Sequence, residues 1–290
     1  MNEPKENAGL SMKDYNHNNL CTWCDGCGNY GILTAIKRAL IELELAPHQV
    51  LICFDVGCHG NMSDTLVGYR FHGLHGRVIS LAAGAALANP DVPVIAFGGD
   101  GACFSEGVGH LVHAVRSNYN MTFILHNNAN YGLTTGQASA LTPHGEKMNT
   151  APHGTVEELL NSMDFVFSLN PSFVARGTSG NIKQLTDIIK AGINHQGFSY
   201  IDVLQACPTY NKFATHEYLL GKCYEVETSD FETARKAAVD TSEKIATGVL
   251  YQDKTRSTFL DQLEARKGID TRLVDEVRKV DVSALLAKFS

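Results

Sequence analysis

Long apolar runs and excess positive charge are what this 290-residue sequence lacks. It has no 18-residue apolar stretch; the most apolar run, VISLAAGAALA, is broken by a serine and a glycine. A helical membrane span is therefore not expected. The net charge is −7, which argues against a broad basic face for nucleic acid. The first twenty residues, MNEPKENAGLSMKDYNHNNL, hold no apolar signal core, so a cytoplasmic location is expected.

What remains is an ordinary globular mix, 44% hydrophobic and 19% charged, with eight cysteines. In a reducing compartment clustered thiols favour metal or redox chemistry over a disulfide scaffold. Three of them fall in CTWCDGCGNYGIL, at Cys21, Cys24 and Cys27. That spacing alone suits a zinc knuckle, thiol–disulfide exchange or an iron–sulfur site.

Apolar periodicity predicts a helix from Gly31, and VLICFDV (50–56) reads as a buried strand. A helix follows over 77–89, a strand over 92–97, a helix over 105–118 and a strand over 121–127. Residues 128–154 read as a loop, 155–163 and 181–193 as helices, and 198–204 as a strand. Alternating strands and helices predict an α/β fold with a doubly wound, mostly parallel sheet. Ligands of such sheets bind beyond the carboxyl ends of the strands. GCHGN, GGDG, NNANYG and QACPTYN all fall at those ends. Three regions result: a lead-in over 1–20, the site-bearing domain over 21–212, and a C-terminal helical arm or contact to another subunit over 213–290. In that arm FETARKAAVDTSEKIA and TFLDQLEARKG read as exposed helices.

In FGGDGACF, glycines let backbone N–H groups approach a phosphate. Asp100 would repel that anion unless it binds a divalent cation that bridges to a diphosphate. Asn128, twenty-eight residues on, offers a neutral oxygen to the same cation. The plainer alternative is a tight strand–helix turn and an Asn-rich turn; the pair is more specific than either motif.

The pair resembles the GDG…NN motif of thiamine diphosphate enzymes. That likeness implies Mg²⁺ held by the side chains of Asp100 and Asn128 and the main-chain carbonyl of Asn130. Over 22–212 the segments WCDGCGNYGIL, VGCHGN, FHGLHGR, GGDG, NNANYGLTTGQ and LQACPTYN closely resemble the β subunit of 2-oxoacid:ferredoxin oxidoreductases. The resemblance implies the thiamine diphosphate-binding fold and a [4Fe–4S] cluster on Cys24, Cys27, Cys58 and Cys207. Cys21 is then spare, Cys53 and Cys103 are buried hydrophobes, and Cys223 has no role.

It further implies that Gly99, Asp100, Gly101, Ala102, Asn128, Asn130, Gly132, Leu133, Thr134, Cys58, His59 and His75 surround the cofactor. His72, His75 and Asn61 are the candidate catalytic residues. Three departures stand out: Asp25 for the proline of WCPGCG, Asn127 where an acid is common, and Asn61 where relatives often carry a basic residue.

The implied reaction is coenzyme A-dependent oxidative decarboxylation of a 2-oxoacid with reduction of ferredoxin, reversible to fix CO2. The branch it looks nearest uses 2-oxoglutarate, with pyruvate and branched-chain 2-oxoacids as alternatives. An α subunit is expected to supply the pyrimidine-side domain and the activating glutamate, in an (αβ)₂ heterotetramer. A non-oxidative thiamine enzyme and a non-catalytic zinc-binding subunit are the competing readings.

Overall fold

The computed structural model of the protein describes residues 9–228, 230–277 and 281–289. The first eight residues of the expected lead-in thus lie outside the described residues. In chain order the strands are β1 (Leu51–Phe54), β2 (Tyr69–His72), β3 (Val94–Gly99), β4 (Met121–Asn127), β5 (Phe173–Thr178), β6 (Phe198–Leu204), β7 (Cys223–Glu225) and β8 (Ile245–Gln252). They form one sheet in the order β2-β1-β3-β4-β6-β5-β8-β7. Every neighbouring pair is parallel except β5 and β8.

Helices α1 (Asn29–Glu42), α2 (Val78–Ala88), α3 (Val108–Ser117), α4 (Ser162–Ser168), α5 (Ile182–Ile193), α6 (His216–Lys222) and α7 (Phe231–Val239) accompany the sheet. The apolar stripes of α1 and α5 bury Ile32, Ile36, Leu40, Leu185 and Ile189 in a core with Ile52, Ile124 and Ile201. A second core joins α2, α3, α4 and α7 through Ala82, Leu111, Phe167 and Ala234 to Val94, Phe123 and Tyr200. The two sets of strand residues alternate in sequence, as the two faces of a pleated sheet require. Helices on both faces make the sheet doubly wound, as expected. Among the described residues no helix is long and apolar enough to cross a membrane.

Four details differ from expectation. Residues 155–161 are not helical; Leu160 N–H donates to Ala140 O at 3.0 Å, and α4 begins only at Ser162. The Asn161 side chain caps it there, accepting from Asp164 N–H at 3.0 Å. Strands β2, β5, β7 and β8 lie where no strand was read. The chain beyond 212 is not only a helical arm, because β8 runs antiparallel to β5 with Ala246 and Leu250 fully buried. Finally, TFLDQLEARKG forms two short 3-10 turns, Leu260–Gln262 and Glu264–Arg266.

Candidate active site

The loops after β1, β3, β4 and β6 converge at the carboxyl edge of the sheet. Asp55, directly after β1, is fully buried and fixes the first of them. Its Oδ1 accepts from the Val56 and Gly76 amides at 2.7 and 2.9 Å, and Oδ2 from Val78 N–H at 3.4 Å. Burial raises its carboxyl pKa, and these amide donors oppose the rise. The result is a held turn that delivers His75 to the start of α2.

After β3 the chain passes through Gly99-Asp100-Gly101 into a π-helical turn, Ala102–Glu106. A side chain at Gly101 would come within 2.4 Å of the Tyr131 ring, and one at Gly99 within 2.9 Å of His59. Close approach therefore explains both glycines. Asp100 is buried, and burial pushes its carboxyl up to about 7. Ser139 Oγ donates to Asp100 Oδ2, while Asp100 Oδ1 has no partner.

Across from it, Asn128 Oδ1 accepts from Asn130 N–H at 3.1 Å. Asn128 O accepts from both Asn130 Nδ2 and Asn211 Nδ2 at 2.8 Å. Asn130 Oδ1 is buried without a partner. An unsatisfied buried polar atom costs about 1–3 kcal/mol. Two such oxygens in one pocket, one of them on a carboxylate, suit a divalent cation, a hard ion that takes oxygen ligands. The residues therefore fit Mg²⁺ and the diphosphate it would bridge. The Asn130 side-chain oxygen adds to the main-chain carbonyl that the sequence pointed to.

All twelve residues expected around the cofactor line this one pocket, together with Val56, Gly57 and Tyr131. His72 and Asn61 do not line it. Asn61 Nδ2 instead donates to Thr22 Oγ1 at 2.8 Å, and His72 Nδ1 sits 3.3 Å from Ser63 Oγ. At the rim His75 Nδ1 lies 3.4 Å from Glu106 Oε2, and Tyr131 O–H donates to Glu106 Oε1 at 3.0 Å. The His75 and Tyr131 rings stack at 5.9 Å. Leu133, on the pocket wall, stands 47% exposed. A wider cleft at the opposite end of the strands is lined by Asp91, Asn120, Gln196, Arg266 and Arg272 and contains no motif residue.

Cys58 lines the pocket, and a side chain at Gly132 would lie 3.3 Å from its sulfur. Burial raises the Cys58 thiol to about 12, with Cys27, Cys207 and Cys24 adding repulsion as thiolates. Burial raises Cys27 to about 11, with repulsion from Cys207 and Cys24. Cys58 and Cys27 thus each interact with Cys24 and Cys207 as well as with one another, while Cys53 and Cys103 are buried elsewhere in the core. Among the described residues no group of three His, Cys, Asp or Glu is placed to hold a single metal ion.

The cysteine loop is anchored by Trp23 Nε1, which donates to Cys58 O at 2.6 Å, and by Gly28 N–H to Ala206 O at 3.0 Å. A side chain at Gly28 would meet Ser179 Oγ at 2.5 Å and Gln205 Cγ at 2.6 Å. In the pocket wall His59 is buried, and burial together with nearby His126 holds its pKa well below the ordinary value. Sequence reasoning missed Asp55, Glu106, Ser139, Gln205 and Asn211. Of these, Gln205 and Asn211 lay inside the quoted QACPTYN and Asp55 inside the strand read as VLICFDV.

Residues 55–203 match the family model of the thiamine pyrophosphate enzyme C-terminal TPP-binding domain. Residues 207–268 match the model of the C-terminal part of the pyruvate ferredoxin oxidoreductase beta subunit. A 2-oxoacid:ferredoxin oxidoreductase subunit beta from a Sulfolobus species is 37% identical, covering 84% of this chain and 85% of that protein. The chain belongs to the β subunits of 2-oxoacid:ferredoxin oxidoreductases.

This β subunit is also 36% identical to the 2-oxoglutarate oxidoreductase subunit KorB of Mycobacterium tuberculosis, over 69% of this chain and 53% of that one. Among solved structures it resembles 2-oxoglutarate:ferredoxin oxidoreductase from Magnetococcus marinus, which has 2-oxoglutarate, coenzyme A and succinyl-CoA bound. The TM-score is 0.86 at 31% identity, over 95% of this chain and 98% of the other. The β subunit is thus part of an oxidoreductase and has an α subunit as partner.

Proposed function

We propose that this β subunit holds thiamine diphosphate with Mg²⁺, and a [4Fe–4S] cluster, for coenzyme A-dependent oxidative decarboxylation of a 2-oxoacid. The substrate is 2-oxoglutarate, the products are succinyl-CoA and CO2, and ferredoxin takes two electrons one at a time. The same chemistry run backwards fixes CO2. One observation carries the reading. Cys58 belongs to the group of four thiols and lines the pocket that also contains the orphaned oxygens of Asp100 and Asn130.

When bound, thiamine diphosphate supplies the electron sink that lets a 2-oxoacid lose CO2. The chain's own residues do the rest. Asp100, Asn128 and Asn130 would hold the cation, and the glycines beside Asp100 admit the diphosphate to the backbone. His59, buried and kept neutral, closes the inner wall. His75, held through Nδ1 by Glu106, is placed to present its other nitrogen to an oxygen that gains charge. Cys24, Cys27, Cys58 and Cys207 would hold a one-electron acceptor beside the reacting centre.

An acceptor there suits stepwise release of two electrons, which a zinc ion cannot take. The α subunit would lie over the pocket near Leu133 and supply the activating glutamate, in an (αβ)₂ assembly. Catalysis by purified β alone at full rate would overturn that division of labour.

The substrate assignment draws on the Magnetococcus marinus enzyme and its bound 2-oxoglutarate. Its test is an anaerobic assay of the αβ complex with coenzyme A, a one-electron dye and a panel of 2-oxoacids. The highest kcat/KM is expected with 2-oxoglutarate. A clear preference for pyruvate or a branched-chain 2-oxoacid would overturn the assignment.

A further inference from the structure

The two loops that would hold the cation, 99–101 after β3 and 128–130 after β4, are gripped by one short turn. The sheet register sets where they start, with Gly99 opposite His126. Beyond the strands, Ser139 Oγ donates to Asp100 Oδ2. Three residues on, Thr142 Oγ1 donates to Ala129 O at 2.7 Å. Ala129 stands between the two asparagines expected as ligands. The turn is closed by Ser139 N–H to Thr142 Oγ1 at 2.8 Å and by Thr142 N–H to Ser139 O at 3.1 Å. Leu141 N–H donates to Ser139 Oγ at 3.2 Å, and the Leu141 side chain is buried in the core with Phe104 and Met163.

Each hydroxyl has one proton to give and takes one amide N–H in return. Ser139 gives its proton to the carboxylate of the first loop, and Thr142 gives its proton to the carbonyl of the second. That second contact falls on unusual backbone. Ala129 has φ +55°, in the left-handed region that residues with a side chain seldom adopt. Such a conformation persists where the surroundings over-determine it. Here the Ala129 carbonyl takes the Thr142 hydroxyl, and Asn128 Oδ1 takes Asn130 N–H at 3.1 Å. Asn128 and Asn130, on either side of Ala129, line the same pocket as Asp100.

We propose that the turn at 139–142 is a brace that fixes the spacing of the two ligand loops and so makes the site selective for Mg²⁺ over the larger Ca²⁺. The proposal rests on the cation reading above. Mg²⁺ demands near-ideal octahedral geometry at about 2.0–2.1 Å, whereas Ca²⁺ accepts flexible geometry at about 2.3–2.6 Å. Loosened loops can still surround Ca²⁺ but no longer close on the smaller ion. Ser139 and Thr142 are positioning residues: one acts through Asp100, the other through the backbone that joins Asn128 to Asn130.

The test is a calorimetric titration of the αβ complex, stripped of divalent cations, with Mg²⁺ and separately with Ca²⁺, each in the presence of thiamine diphosphate. Ser139→Ala and Thr142→Val each remove one donated proton. Each should weaken Mg²⁺ binding by about 10-fold, the low end for a residue that supports a metal ligand, and Ca²⁺ binding by clearly less. Unchanged Mg²⁺ affinity would overturn the brace. So would equal losses for the two cations, which is what a merely weakened fold produces. Melting temperature shows which variants have folded; if Thr142→Val does not, Ser139→Ala decides alone. A wild-type complex that binds neither cation with thiamine diphosphate sinks the cation reading itself, and so is told apart.

Discussion

The floor and the rim of the pocket are built on opposite terms. At the floor Asp100 and Asn130 are buried, and each keeps an oxygen without a partner. At the rim His75, Glu106 and Tyr131 satisfy one another while His75 and Glu106 stay 36% and 42% exposed. The floor is incomplete without a ligand; the rim is balanced without one. Changes at the floor should therefore remove binding, and changes at the rim should alter turnover and leave binding in place.

Asp100→Ala should break the floor outright. Calorimetry should find affinity for thiamine diphosphate with Mg²⁺ lowered by more than about 100-fold, above the usual cost of losing a supporting contact. Near-normal binding would show that the orphaned oxygens are not the cation's ligands. Cys24→Ser should lose most of the iron while Cys21→Ser keeps it; the reverse pattern would mean the wrong pair was chosen.

The floor should also respond to pH. Burial raises the Asp100 carboxyl to about 7, so in the empty protein it takes up a proton as pH falls through that value. A cation must displace that proton. Apparent Mg²⁺ affinity should therefore climb as pH rises towards about 7 and level off above it. Titrations at pH 5.5 to 8.5 that give a flat profile would contradict the assignment of Asp100.

The smallest effect belongs to the rim. Glu106→Gln should leave cofactor affinity within about 2-fold and lower kcat/KM by about 10-fold, the lower end for a supporting contact. An equal loss in both quantities would erase the distinction between floor and rim.

The same contrast governs what could be read in advance. The floor was legible because its chemistry needs particular residue types at fixed offsets. Gly99-Asp100-Gly101, then Asn128 and Asn130, stand out in one sequence, as do Cys24 and Cys27. The supporting contacts were not legible. Ser139 reaches Asp100 from 39 residues away, and Asp55 holds Gly76 across 21. Nothing local marks either side chain. His72 and Asn61 looked like site residues because they flank motif positions, but the end of β2 and the 3-10 turn His59–Asp64 direct them to Ser63 and Thr22.

Strand recognition failed for related reasons. β2 is exposed along its whole length, so no burial pattern marks it. β5 carries Arg176 at its centre, which resembles a surface residue. Arg176 is buried because its Nε donates to Asp202 Oδ2 at 3.2 Å. Asn127, noted for standing where an acid is common, donates to Asp202 Oδ1 at 3.0 Å. An acid there would face that buried carboxylate with no donor. The neutral side chain is therefore what this pairing of one arginine with one aspartate requires.

The central claim is that one chain joins a thiamine diphosphate pocket to a four-thiol cluster through Cys58. The most direct measurement is the absorption of the anaerobically purified αβ complex before and after adding 2-oxoglutarate and coenzyme A. The account predicts a brown protein with a broad band near ~400 nm, about four irons per β chain beyond any in the partner, and bleaching on addition of substrate. A colourless protein that binds zinc, or a brown one whose band does not respond to any 2-oxoacid, would contradict it.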